Sequence, residues 1–180
     1  LKDHLNTSAN VSEIVDCLNK IGLEVSSLKI YKTDINKLKV AKIIDVKKHP
    51  NADKLNVCTI QFDEAQTQVV CGAPNVNINK KYVFAPSGTF IGGIDLTLKK
   101  AVIRDVESYG MLCSEKELEI SDDHTGIIEL PDNINLNDNV SNYLGIDDPV
   151  IEIEITPNRG DCLGVRGIAR DLSAFGVGEL

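Results

Sequence analysis

The sequence predicts a mainly β protein with an α+β part, in which a small five-stranded β-barrel is inserted into a discontinuous α+β module. Three observations carry this. Between residues 38 and 130 the chain falls into short β-rich runs separated by Pro, Gly, Asn and Asp clusters about every ten residues, which suits a barrel or sandwich rather than a layered α/β sheet. Helix-plus-strand patterns stand at the two ends, each too small to stand alone. The 180 residues are 42% hydrophobic, enough to build a core for one or two domains.

In chain order, residues 10–22 (NVSEIVDCLNKIG) place Ile14, Cys17, Leu18 and Ile21 at helical spacing, with Asn10 or Ser12 as the cap and Gly22 as the stop. Residues 23–31 read as a strand, and the polar stretch Thr33 to Lys37 marks a boundary. Val40–Val46 and Leu55–Phe62 flank the polar loop His49-Pro50-Asn51-Ala52-Asp53-Lys54-Leu55 as strand, turn, strand. Gln68–Cys71 is a short strand ended by Gly72-Ala73-Pro74-Asn75, and Lys81–Ala85 is a strand ended by Pro86. Leu96–Leu98 and Ala101–Ile103 form a fifth run around Lys99-Lys100. A short acidic helix is expected over Glu115–Leu118, a strand over Gly126–Leu130 and a helical turn over Val140–Leu144.

Val150–Ile155 alternates as a strand with one wet face, Thr156–Asp161 turns, and Cys162–Phe175 returns to helical period. Asp161 is positioned to cap that helix and Gly176 to end it; Gly164 and Gly167 mark a close packing contact. About 110 residues of short strands with one helical interruption fit an OB-type barrel. The expected division is therefore 1–37 and 149–180 as the halves of the α+β module, with 38–148 as the inserted barrel.

The net charge of −8 argues against a protein built around non-specific nucleic-acid binding, but the average hides a split. Residues 37–104 hold 11 Lys/Arg against 5 Asp/Glu, whereas 105–154 hold one Lys against 14 Asp/Glu. No apolar run reaches the ~18 residues of a membrane span, and no signal-peptide pattern opens the chain. With its first residue Leu1 and its sole methionine at 111, the sequence reads as a piece of something longer. Five widely spaced cysteines without a CxxC read as free thiols of a reducing compartment and give no paired zinc ligands.

No catalytic constellation emerges. GxGxxG, GxxxxGK[ST] and GxSxG are absent, and His4, His49 and His124 lie far apart in polar surroundings. Asp122-Asp123-His124-Thr125 lacks the glycine and closing glutamate of a calcium loop. Aromatic residues make up 4%, with Tyr82, Phe84 and Phe90 the candidates for base stacking, and core packing the better reading of Phe84. What remains is basic residues at turns. Lys47, Lys48, Lys54, Lys99, Lys100 and Arg104 are candidate phosphate contacts, and Asn51 and Asn75 candidate donors to backbone or base edges.

Residues 49–55 (HPNADKL), 71–76 (CGAPNV), 104–115 (RDVESYGMLCSE) and 156–163 (TPNRGDCL) resemble the N-terminal region of the β subunit of bacterial-type phenylalanyl-tRNA synthetases. HPNADKL with Ser108, Gly110 and Met111 is shared by the wider group of OB-fold tRNA-binding domains; DDHTGIIELP and TPNRGDCLGVRGIARDL narrow the match. The resemblance covers essentially the whole chain. It implies a tRNA-binding-type OB domain over about 38–148, a cytoplasmic setting, tRNA as partner and a catalytic α subunit in an (αβ)₂ assembly. It also implies ATP and magnesium used by the whole enzyme but no cofactor and no catalytic site in this stretch, and neither DNA nor membrane as partner. The rival expectation is a stand-alone OB-fold tRNA-binding or RNA-chaperone protein, which has no need of the terminal module.

Overall fold

The computed structural model describes residues 1–146 and 148–180. Helix α1 (Val11–Lys20) begins where Asn10 and Glu13 satisfy each other's backbone. The Asn10 side chain accepts from the Glu13 amide at 3.0 Å, and the Glu13 carboxylate accepts from the Asn10 amide at 2.8 Å. Of the two expected caps, Asn10 is the one used. Gly22, at φ +82°, ends the helix by letting its own amide and that of Leu23 return to the carbonyls of Asn19 and Leu18. Then come β1 (Glu24–Lys29), β2 (Lys39–Lys48), β3 (Asn56–Phe62), β4 (Ala65–Cys71), β5 (Lys81–Ala85), β6 (Phe90–Ile91) and β7 (Leu96–Thr97). β8 (Ala101–Ile103), β9 (Val106–Ser108), β10 (Met111–Leu112), β11 (Glu129–Leu130), α2 (Val140–Leu144), β12 (Val150–Glu154) and α3 (Val165–Ala174) complete the chain. Residues 1–30 and 148–180 gather into one compact unit and 31–147 into another.

In the larger unit the antiparallel sheet runs β10-β5-β2-β3-β4, with β11 also paired to β5. Its two edges approach each other. The Tyr109 amide donates to Gln68 O at 2.9 Å, the Gln68 side chain to Glu107 O at 2.7 Å, and the Val70 amide to Ser108 Oγ at 3.1 Å. These contacts curl five strands into the partly closed barrel of the OB type. Gly110, at φ +106°, lies so close to Ala85 O that a Cβ there would sit 2.4 Å from it, so only glycine fits this corner.

Alternation sorts the side chains. Ala41, Ile43, Cys58, Ile60, Val69, Tyr82 and Phe84 fill the barrel interior, with the Phe62 and Phe84 rings 4.9 Å apart. Val40, Val83 and Ala85 face the other way and are covered by Ile91, Leu98, Leu118, Leu130 and Val140. β5 is thus apolar in four of its five positions because both of its faces are buried. In β2 the register against β3 slips between Ile43 and Asp45, a bulge that absorbs one extra residue and bends the strand.

Two expectations in this unit fail. The run Leu96–Ile103 is not one strand: β7 pairs with β6, whereas β8 pairs with β9. Between them Leu98 turns into the core, its amide held by Thr89 O at 2.8 Å and its carbonyl accepting from the Gly88 amide at 2.7 Å. Glu115–Leu118 forms a series of turns rather than a helix. Four residues cannot repay helix nucleation, and the Lys116 amide instead reaches Asp123 O at 3.0 Å while Glu119 adopts φ +61°.

In the smaller unit β1 and β12 form a two-stranded antiparallel sheet, and Leu5, Ile14, Leu18, Leu23, Cys162, Ala169 and Leu172 make its core. Asp161 does not cap α3. The cap position is Gly164, after a 3-10 segment over Pro157–Cys162, and Asp161 is drawn instead into ion pairs with Arg159 and Arg170. Gly167 does mark a close contact, since a Cβ there would lie 1.9 Å from Asp161 O, but Gly164 has nothing within 4 Å. Gly176, at φ +91°, ends α3 as expected.

Candidate nucleic-acid interface

The polar loop between β2 and β3 is built on a buried histidine. His49 is 5% exposed; its Nδ1 accepts from the Asn51 amide at 3.1 Å, so its proton sits on Nε2, which donates to Ile103 O at 2.9 Å. Asn51 continues the clamp. Its Nδ2 donates to Arg104 O and to an Asp105 carboxylate oxygen, each at 3.1 Å, and Arg104 Nη1 donates back to Asn51 O at 3.3 Å. The clamped segment is the two-residue turn of the β8–β9 hairpin, in which Arg104 (φ +46°) and Asp105 (φ +70°) are both left-handed. Such turns normally recruit glycine or asparagine. Here bonds from a loop some fifty residues upstream hold the strained pair.

This clamp brings Lys54 and Arg104 together. Both line a cleft of about 460 Å³ with Ala52, Asp53 and Leu55. Lys48, opposite Asn56 at the end of β2, stands beside the same loop. Lys48, Lys54 and Lys99 are exposed and have no charged or hydrogen-bonded partner among the described residues.

The other candidates are placed differently. Lys47 pairs with Asp45 at 3.2 Å on an open surface. Lys100 pairs with Glu107 at 2.7 Å and lies 5.0 Å over the Tyr109 ring; its hydrogen bonds to Glu107 and then Tyr109 hold its pKa above the ordinary lysine value. Asn75 is a structural staple: its Nδ2 donates to Ile127 O at 2.8 Å and its Oδ1 accepts from the Ile127 amide at 3.0 Å. Tyr82 and Phe84 lie in the core, Tyr82 donating its hydroxyl to Asn75 O at 2.6 Å, so neither offers a stacking surface. From the residues alone, His49 reads only as part of a polar turn. The signal that it does more was its position beside Pro50 at the end of an apolar strand, but its partner Ile103 lies too far along the chain to be read.

Among the described residues the single grouping of metal-ligating type is Asp161, Cys162 and Asp171. It is already neutralised. Arg159 and Arg170 each bond both carboxylates, and the guanidinium hydrogen bonds hold Asp161 well below the usual carboxylate range. A cation would have to displace two guanidinium groups. All five cysteines are free; burial, with Cys71 nearby as a lesser cause, pushes the Cys58 thiol up to about 12, and burial likewise raises Cys113 and Cys71. Such thiols are inert at neutral pH.

The geometry is that of an OB-type barrel presenting cations at one loop-and-turn corner. Over its whole length the chain is 48% identical to the phenylalanine–tRNA ligase beta subunit of Brucella abortus (181 residues aligned) and to that of Mesorhizobium japonicum (182 residues). It is 47% identical to that of Bartonella quintana over 181 residues. It spans 22–23% of the length of these relatives. A MetRS-related protein from Pyrococcus horikoshii superposes with a TM-score of 0.40 at 20% identity, covering 55% of this chain and 84% of that one. Residues 38–139 match the family model described as "Putative tRNA binding domain", and with more than half of its residues inside that match the chain belongs to this family of tRNA-binding domains.

Proposed function

We propose that the chain is the N-terminal part of a phenylalanine–tRNA ligase β subunit and that its barrel is an auxiliary, non-catalytic tRNA contact. The observation that carries the tRNA contact is the cleft where Lys54 meets Arg104, whose turn is clamped by His49 and Asn51; Asp53 and Asp105 flank the pair, and unpaired Lys48 beside the loop gives the corner its positive excess. Lys48 beside it and Lys99 on the approach to β8 extend the cationic surface along the barrel. Phosphate contacts of this kind raise affinity and position a nucleic acid without reading its sequence.

In this reading the whole enzyme joins phenylalanine to its tRNA using ATP and magnesium, in a cytoplasmic (αβ)₂ assembly with a catalytic α subunit. Neither group fits the residues described here. Among the described residues the grouping of metal-ligating type, Asp161, Cys162 and Asp171, is filled by Arg159 and Arg170, and the sequence has no phosphate-cradling glycine loop. In this reading the chain contributes binding and leaves the chemistry to the rest of the enzyme. A free-standing barrel is the weaker alternative, because the similarity to β subunits extends through both terminal segments.

The test is a tRNA titration of the 180-residue chain across salt concentrations. Weak binding with little tRNA preference and a steep salt dependence is expected. Replacing Lys54→Gln with Arg104→Gly, which suits the left-handed turn, should weaken binding about tenfold and flatten the salt slope by about 1.5. No binding at low salt, or an unchanged slope in the variant, would overturn the assignment of this corner.

A further inference from the structure

The cleft at the corner between β2–β3 and β8–β9 holds more than cations. Its volume of about 460 Å³ suits a ligand the size of a mononucleotide, and its lining is Ala52, Asp53, Lys54, Leu55 and Arg104. The loop uses its other polar residues for the fold: His49 and Asn51 clamp the 104–105 turn, and Asp105 is engaged by Asn51 Nδ2 at 3.1 Å. Asp53 is not engaged. It is exposed and has neither a hydrogen-bonded nor a charged partner among the described residues. In a site for phosphate alone such a carboxylate is unfavourable, because it repels the ligand that Lys54 and Arg104 attract. Ala52 and Leu55, both half-buried, add an apolar surface to the same cleft. Arg104 Nη1 donates to Asn51 O at 3.3 Å, which leaves Nε and Nη2 without a partner among the described residues.

We propose that this cleft takes an unpaired guanosine of an RNA strand, an inference that rests on the reading of the corner as an RNA contact and deepens it. Lys54 and Arg104 meet the phosphates, Ala52 and Leu55 lie against the base, and the Asp53 carboxylate accepts from its Watson–Crick edge. The choice of base follows from the acceptor. Guanine places two donors side by side, N1–H and the 2-amino group, and the two oxygens of a carboxylate match them. Adenine and cytosine each offer one amino donor next to a ring nitrogen that accepts, and uracil one N–H between two carbonyls. Each of these sets a lone pair against the carboxylate. Base pairing occupies the same two donors of guanine, so only a guanine outside a duplex is read. The preference is for a base and not for one tRNA, since any strand exposing a guanine satisfies it.

The experiment titrates the 180-residue chain at low salt with the RNA pentamers UUGUU, UUAUU and UUIUU, where I is inosine, following backbone amide NMR shifts. UUGUU should shift residues 51–55 and 103–105 and bind about tenfold tighter than UUAUU. Inosine keeps N1–H but lacks the 2-amino group, so UUIUU should fall between them. Asp53→Asn, at an exposed position, keeps the dispersed spectrum of the folded chain. It should remove the preference, because its amide sets N–H against the guanine donors, while UUAUU binds at least as tightly as before. Lys54→Gln should weaken all three pentamers alike. Equal binding of UUGUU and UUAUU, inosine behaving like guanosine, or a preference that survives in Asp53→Asn would overturn the guanine assignment. If the pentamers shift the corner equally, the phosphate contact stands without it; if none shifts the corner at millimolar concentration, both fail.

Discussion

Two sets of basic residues on one barrel have opposite fates. At the corner between β2–β3 and β8–β9, Lys48 and Lys54 reach solvent unpaired, and Arg104 bonds only a backbone carbonyl. At the start of β5, Lys80 is held by Glu129 at 3.2 Å and Asp132 at 3.3 Å, which raises its pKa, and Lys81 donates to Asp132 O at 2.7 Å and to Ile134 O. Composition cannot separate the two, since both fall in the same basic stretch. The difference is what the later chain delivers: the 129–134 segment brings acceptors to Lys80 and Lys81, whereas the 103–106 turn brings another cation, Arg104, and a carboxylate, Asp105, that bonds Asn51 rather than a lysine. Basic side chains on this barrel stay unpaired only where no returning segment supplies them an acceptor.

Substitutions can break this contrast, and the largest effect should come from the scaffold under the free corner. His49→Ala removes two buried hydrogen bonds and leaves a cavity, and should cost about 3 kcal/mol in denaturant unfolding while weakening tRNA binding through a displaced Arg104. Lys81→Met should cost about 2 kcal/mol, because two charge-assisted bonds to carbonyls are lost, with tRNA affinity unchanged. If Lys81→Met impaired tRNA binding as strongly as the Lys54 and Arg104 changes, the division into bound and free cations would fail.

Compensation by carboxylates, unlike compensation by carbonyls, is sensitive to acid. Burial raises the pKa of Asp171, but bonds from Arg170 and Arg159 outweigh it and leave the pKa lowered. A lowered folded-state value means stability present above the unfolded carboxylate pKa of about 3.9 and lost as pH falls below it. Thermal unfolding of the wild type between pH 5 and the acid limit should therefore lose more stability than that of Asp171→Asn. The smallest effect is expected for Lys47→Gln: its pair with Asp45 is 77% and 46% exposed, so stability should stay within about 0.5 kcal/mol.

Much of the architecture was legible in the residues. Asn10, Gly22 and Gly176 bound their helices where the sequence placed the signals, β2 and β3 follow from apolar alternation ended by turn residues, and β5 from a continuous apolar run stopped by Pro86. The failures share a cause. Leu98 breaks the expected fifth strand because Thr89 and Gly88 take its backbone, and Asp161 leaves its expected cap because Arg159 and Arg170 take its carboxylate. The corner was legible only as a list of cations. That Asn51 and Asn75 serve the fold from within their motifs required knowing that 104–105 and 127 return to them.

The left-handed pair Arg104–Asp105 also bears on the order of folding. A hairpin whose turn lacks glycine gains little from local preference, and the bonds that stabilise this one come from His49 and Asn51. Closing that span costs chain entropy before any bond is repaid. The β8–β9 hairpin should therefore form late, after the β2–β3 loop has set, and the cationic corner becomes complete only as the barrel itself closes.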